Sequence, residues 1–96
     1  MTGRTTAVRL AYDGIGFPGD FAPEPLGIAG YPKVGKLFWT NVKSFASIFS
    51  AGMDGSRPVT VIDTGLEFPN GIAIDFENSR LYWADVTLGT LETRSL

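Results

Sequence analysis

The sequence contains no cysteine and no histidine. Their absence together excludes disulfides, thiolate nucleophiles, Cys/His zinc sites and imidazole acid–base chemistry. Positive charge is also sparse. Eight Lys and Arg stand against ten Asp and Glu, for a net charge of -2, and no two basic residues are adjacent. The electrostatic footprint of a nucleic-acid binder is missing, so no nucleic-acid partner is expected. Long apolar runs are lacking too: no window approaches the roughly 20 apolar residues of a bilayer span. The residues after Met1 lead through Thr2, Gly3, Arg4, Thr5 and Thr6 to Ala7, Val8 and Arg9. They lack the roughly 7 to 15 apolar residues that a signal peptide needs, so neither a signal peptide nor a transmembrane segment is read here.

What remains is one domain's worth of chain, 96 residues, 44% hydrophobic and 12% aromatic. That is enough apolar area to fold and too little charge for a disordered tail. Twelve glycines and six prolines punctuate it, and residues 36–51 and 72–88 are the two longest stretches free of both. Each carries a short aromatic, apolar run with β-propensity, Leu37-Phe38-Trp39-Thr40 and Leu81-Tyr82-Trp83-Ala84, ending at Asn41 or Asp85. Asp54-Gly55-Ser56 is a turn signal between two further β-like runs, residues 47–52 and 59–63. An all-β, antiparallel fold is expected.

An internal repeat organises these runs. Residues 25–41, PLGIAGYPKVGKLFWTN, precede residues 69–85, PNGIAIDFENSRLYWAD, by 44 positions and align without a gap. Identities fall at Pro25/Pro69, Gly27/Gly71, Ile28/Ile72, Ala29/Ala73, Leu37/Leu81 and Trp39/Trp83. Lys36/Arg80, Phe38/Tyr82 and Asn41/Asp85 are conservative pairs. A weaker likeness joins residues 8–14 to residues 48–55. The segmentation expected is therefore the end of one unit over residues 1–24, a complete unit over 25–68 and the start of another over 69–96. A period near 40 to 45 residues with four short strands per unit reads as β-propeller blades. Alternation places Leu81 and Trp83 on one face and Tyr82 and Ala84 on the other. Two apolar faces suit a sheet packed between neighbouring sheets. Pro32 cannot donate to a ladder, so the first strand of the first unit is expected to end early.

Phe38-Trp39-Thr40-Asn41 and Tyr82-Trp83-Ala84-Asp85 each follow a Pro-X-Gly-Ile-Ala run by about ten residues, and Met53-Asp54-Gly55-Ser56 follows in the complete unit. In this they resemble the YWTD repeats, or class B repeats of the low-density lipoprotein receptor. The resemblance is good over residues 25–96 and weak over 7–24. It implies an incomplete six-bladed propeller of antiparallel four-stranded blades, an extracellular or receptor-ectodomain location, and a noncatalytic module binding a protein ligand. The remaining blades would come from the same chain or from a homo-oligomer, including a cyclic trimer of chains with about two blades each. Ala84 departs from the family's threonine and Asn41 from its acid. An amide accepts at one oxygen only, so the first unit is expected to hold its neighbour less firmly.

Several residues admit more than one role. Trp39 and Trp83 could form an exposed recognition patch, but their regular spacing favours core packing in superposable positions. Asp85 and Asn41 could ligate calcium, but no second acid lies nearby to build a shell, which favours structural hydrogen bonding. Pro69-Asn70-Gly71-Ile72 also resembles a motif of regucalcin, gluconolactonase and related six-bladed hydrolases, in which the Asn holds a divalent metal. The alternative function is thus a metal-dependent hydrolase or lactonase, set against simple β-turn chemistry at Pro-Asn-Gly. Glu67, Asp75 and Glu77 are expected at turns and strand ends. Gly14-X-Gly16 lacks the third glycine of a phosphate loop. Asn41, Asn70 and Asn78 lack the Ser/Thr of a glycosylation acceptor. With histidine and cysteine absent and the acids not clustered, no cofactor, metal or catalytic residue is assigned.

Overall fold

A computed structural model describes residues 24–42 and 46–96. The weak likeness at residues 8–14, and nearly all of the unit expected over 1–24, lie outside the described residues. Among the described residues seven strands form two antiparallel sheets: β1 (Pro25–Tyr31), β2 (Lys36–Asn41), β3 (Ser47–Gly52) and β4 (Val59–Ile62) in one, β5 (Pro69–Asp75), β6 (Arg80–Asp85) and β7 (Thr90–Ser95) in the other. Neighbours in sequence are neighbours in each sheet. The only helical element among the described residues is a single 3-10 turn, Pro32–Val34.

The two sheets repeat each other's register. Ile28 pairs with Trp39 and Ile72 with Trp83, and both first pairs of strands carry a bulge, between Pro25 and Ile28 and between Pro69 and Ile72. Two expectations fail here. The first strand does not end early, because β1 and β5 both run seven residues. Pro32 falls one residue past β1, at the start of the 3-10 turn, where no ladder donor is required. Nor does Pro69-Asn70-Gly71 form a β-turn, since all three residues lie in β5 at its bulge. A bulge uses the same permissive residues as a turn, which is why the two look alike in sequence.

The sheets stack face to face. Tyr31, Phe38 and Ile48 from the first meet Leu81 and Trp83 from the second in one buried cluster, flanked by Val61, Ile62, Leu66, Ile72 and Ile74. Strand alternation generates this seam. Tyr31, Lys36, Phe38, Thr40 and Ile48 share one face of the first sheet, and Ile72, Ile74, Leu81, Trp83 and Arg94 share the opposing face of the second. The first strands of the two sheets, β1 and β5, run beside each other.

Candidate functional site

The repeat motif sits at this seam. Thr40 is fully buried, and its Oγ1 accepts the Gly27 N–H at 2.9 Å while donating to the Asn70 carbonyl at 3.1 Å. One hydroxyl therefore ties the β1 bulge to β2 and then crosses to β5 of the next sheet. Gly27 makes the crossing possible, because a Cβ there would collide with the Asn70 carbonyl oxygen. Its repeat partner, Gly71, meets nothing within 4 Å on the open face of the second sheet. On that face Ala84, which offers no hydroxyl, stands where the first unit has Thr40.

Asn41 and Asp85, the last residues of β2 and β6, are both buried and both reach back to the segment entering their own sheet. Asn41 Oδ1 accepts the Glu24 N–H at 2.6 Å. Asp85 Oδ2 accepts Glu67 N–H at 2.8 Å, both carboxylate oxygens share Phe68 N–H at 3.1 and 3.2 Å, and Oδ1 accepts Leu88 N–H at 3.0 Å. The backbone repeats the pattern, with Val42 N–H on Glu24 O and Val86 N–H on Phe68 O. Burial pushes the Asp85 carboxyl pKa up, but the backbone N–H groups of Glu67, Leu88, Phe68 and Thr87 outweigh it and hold the group below the ordinary carboxylate value. These bonds clamp the incoming connection and the following turn within one sheet. The expectation that this position grips the neighbouring blade is corrected: within the repeat motif it is Thr40 that bonds across to the other sheet.

Trp39 and Trp83 hold equivalent registers but different surroundings. Trp83 is 7% exposed in the seam, and its indole N–H has no hydrogen-bond partner. Trp39 is half-buried on the other face of the first sheet and tilts against Phe49, 5.8 Å between ring centroids. The difference follows from position, since Trp83 faces the first sheet across the seam and Trp39 lies on the face of the first sheet turned away from the second. Phe38 is buried in the seam, whereas its counterpart Tyr82 is 43% exposed on the open face.

Asp54 and Gly55 lie in the tight connection between β3 and β4. Asp54 Oδ1 accepts Ser56 Oγ–H at 2.6 Å and Ser56 N–H at 2.9 Å, which lowers its carboxyl pKa, and Gly55 takes the left-handed position at φ 86°. Asp75 does likewise between β5 and β6, where the Asn78 side-chain amide and the Asn78 and Glu77 N–H groups lower its pKa. Asn70 contributes its backbone carbonyl to the seam. Among the described residues no group of three or more Asp and Glu is placed to hold a metal ion, and no helix is long and apolar enough to cross a membrane.

Sequence reasoning did not find three contacts across the seam. The Tyr31 hydroxyl shares a hydrogen bond with Ser79 Oγ at 3.2 Å, the Tyr31 ring lies 5.4 Å from that of Phe76, and Arg94 Nη1 donates to the Val61 carbonyl at 2.9 Å. None has a counterpart in the repeat alignment, so no local signal marks them.

Residues 35–76 match the low-density lipoprotein receptor repeat class B family. The chain is 40% identical over 70 residues to the vitellogenin receptor Yl of Drosophila melanogaster, spanning 73% of this chain and 4% of that protein. It is 30% identical over 73 residues to the human low-density lipoprotein receptor-related protein 5-like protein, covering 76% of this chain and 29% of the relative. Among solved structures, a chain of the nidogen/laminin complex superposes with a TM-score of 0.72 at 35% identity, covering 79% of this chain and 29% of that one. The chain thus spans a small part of each of these proteins.

Proposed function

Because the chain carries class B repeats of the low-density lipoprotein receptor type, we propose that it is part of a noncatalytic, extracellular propeller module that binds a protein ligand. Residues 25–68 and 69–96 serve as successive repeat units, with further blades supplied by the same polypeptide or by other copies. The observation that carries this is how the motif's polar side chains are used. Thr40 and Asp85 are buried and bonded to backbone groups, Asn41 is buried with its Oδ1 on the Glu24 N–H, and Asn70 presents its main-chain carbonyl to Thr40. Such side chains build a scaffold, and specificity then belongs to the loops that the scaffold displays. Receptors among the relatives, and a structural neighbour seen in complex with laminin, support a protein as the ligand.

The test against the hydrolase alternative is calorimetric titration with calcium, zinc and manganese beside a lactone- and ester-hydrolysis assay. Neither metal-dependent turnover nor saturable metal binding is expected. Micromolar metal binding abolished by Asn70→Ala would establish the hydrolase instead.

A further inference from the structure

The seam bond from Thr40 ends on an asparagine that precedes a glycine. Asn70 is half-buried near the start of β5, and the pairing of β5 with β6 skips from Pro69 to Ile72, so Asn70 and Gly71 lie together in the bulge opposite Ala84. A regular extended backbone holds a side chain away from the main-chain nitrogen that follows it, and a bulge departs from that backbone. Gly71 has no Cβ to shield its nitrogen. Asn70 uses its main-chain carbonyl in the seam and not its carboxamide.

The repeat-equivalent peptide bond, Leu26-Gly27, is treated differently. The Gly27 N–H is engaged by Thr40 Oγ1. In the second unit Ala84 stands where the first has Thr40, and it has no oxygen to offer the Gly71 N–H. The Thr40 hydroxyl reaches the Asn70-Gly71 peptide group from its other end, donating to the Asn70 carbonyl at 3.1 Å. A donor on that oxygen draws negative charge toward it and so acidifies the N–H of the same peptide group, which is that of Gly71. The chain has two other asparagines, and both are held. Asn41 is buried, keeps Oδ1 on the Glu24 N–H and precedes the branched Val42, while Asn78 donates its side-chain amide to Asp75 Oδ2 at 2.9 Å.

We propose that Asn70-Gly71 is a site of spontaneous deamidation, promoted by the Thr40 hydroxyl. Water takes the Gly71 amide proton, and the charge left behind is shared with the Asn70 carbonyl oxygen, where Thr40 stabilises it. The Gly71 nitrogen attacks Asn70 Cγ and forms a C–N bond, while the side-chain nitrogen takes up a proton and leaves as ammonia. Water then opens the succinimide. Attack at Cγ gives aspartate, and attack at the former main-chain carbonyl gives isoaspartate. The sum is one water consumed and one ammonia released, with no change of oxidation state. Isoaspartate adds a methylene to the main chain of β5 and turns the oxygen that Thr40 bonds into part of a carboxylate, so the junction of the two sheets weakens with age.

The intact chain is held at neutral pH and physiological temperature and sampled over weeks. Peptide mapping by mass spectrometry, with electron-transfer fragmentation to tell isoaspartate from aspartate, follows positions 41, 70 and 78. A parallel incubation in guanidinium chloride gives the unfolded rate. In the folded chain conversion should concentrate at Asn70 and run no slower there than in guanidinium. Thr40→Val should slow it about fivefold in the folded chain, the rate equivalent of one hydrogen bond, and leave the guanidinium rate unchanged. Ala84→Thr, which returns to Gly71 the acceptor that Gly27 has, should slow it by a similar factor. Near-UV circular dichroism reports whether each variant keeps the seam, and Ala84→Thr carries the test if Thr40→Val loosens it. The converted chain, separated by anion exchange, should melt below the parent. Folded-state conversion slower than in guanidinium, equal folded rates in the parent and in Ala84→Thr, or a converted chain that melts with the parent would overturn the proposal.

Discussion

The hydroxyl of Thr40 donates to the carbonyl of Asn70, joining two sheets whose sequences lie 30 residues apart at this contact. Because the same oxygen also accepts the Gly27 N–H, removing it strands a donor and an acceptor in a buried seam. Thr40→Val, which preserves shape, should lower unfolding free energy by about 1–3 kcal/mol. Thr40→Ser should recover part of that loss. Urea unfolding followed by tryptophan fluorescence gives both values.

Gly27 and Gly71 are identical in the repeat and opposite in environment. Gly27→Ala drives a methyl group into the Asn70 carbonyl, whereas Gly71→Ala enters open space. The first should destabilise by roughly 1–3 kcal/mol, and the second should stay within about 0.5 kcal/mol of the parent. Thermal melts of the two variants under one buffer make the comparison.

Asp85 sets the acid response. Its folded pKa lies below the ordinary carboxylate value, so its stabilising contribution is present in full above the unfolded pKa, near 4, and is lost as pH falls through the folded value. Asp85→Asn should cost about 1–3 kcal/mol at pH 7, because an NH2 group then faces backbone donors. It should also flatten the decline in stability on acidification. Asp54 and Asp75 are lowered too, but their bonds lie in exposed turns, so Asp54→Asn should leave the acid limb in place. Melting temperature against pH for the three proteins separates these outcomes.

The repeat, its strands and the shared register of Trp39 and Trp83 were legible because each is a local pattern written twice. Burial was not, since whether Trp83 is covered and Tyr82 exposed depends on which face of a sheet meets another sheet. The Thr40–Asn70 bond was invisible for the same reason: its acceptor is a main-chain oxygen, and no side chain in the sequence advertises it. Pro-Asn-Gly reads as a turn because a bulge and a turn demand the same residues, and only the partner strand β6 distinguishes them. Pro32 misled by one position, the step between ending a ladder and interrupting it.

Trp83 and Trp39 should differ spectroscopically. With Trp39→Phe the remaining Trp83 emission should be blue-shifted and weakly quenched by acrylamide, as suits a side chain 7% exposed. With Trp83→Phe the remaining Trp39 should quench more readily. Trp83→Phe should also retain most of the stability, since the indole N–H it removes has no hydrogen-bond partner.

The stacking of two repeat-equivalent sheets through Phe38, Thr40, Leu81 and Trp83 underlies everything proposed for this chain, and NMR observes it directly. In a nuclear Overhauser spectrum of the intact chain, the Phe38 ring should show cross-peaks to Leu81 and Trp83, and the Gly27 amide should exchange slowly behind its bond to Thr40. Intrasheet cross-peaks without any between Phe38 and the second sheet, together with a rapidly exchanging Gly27 amide, would contradict the stacked arrangement.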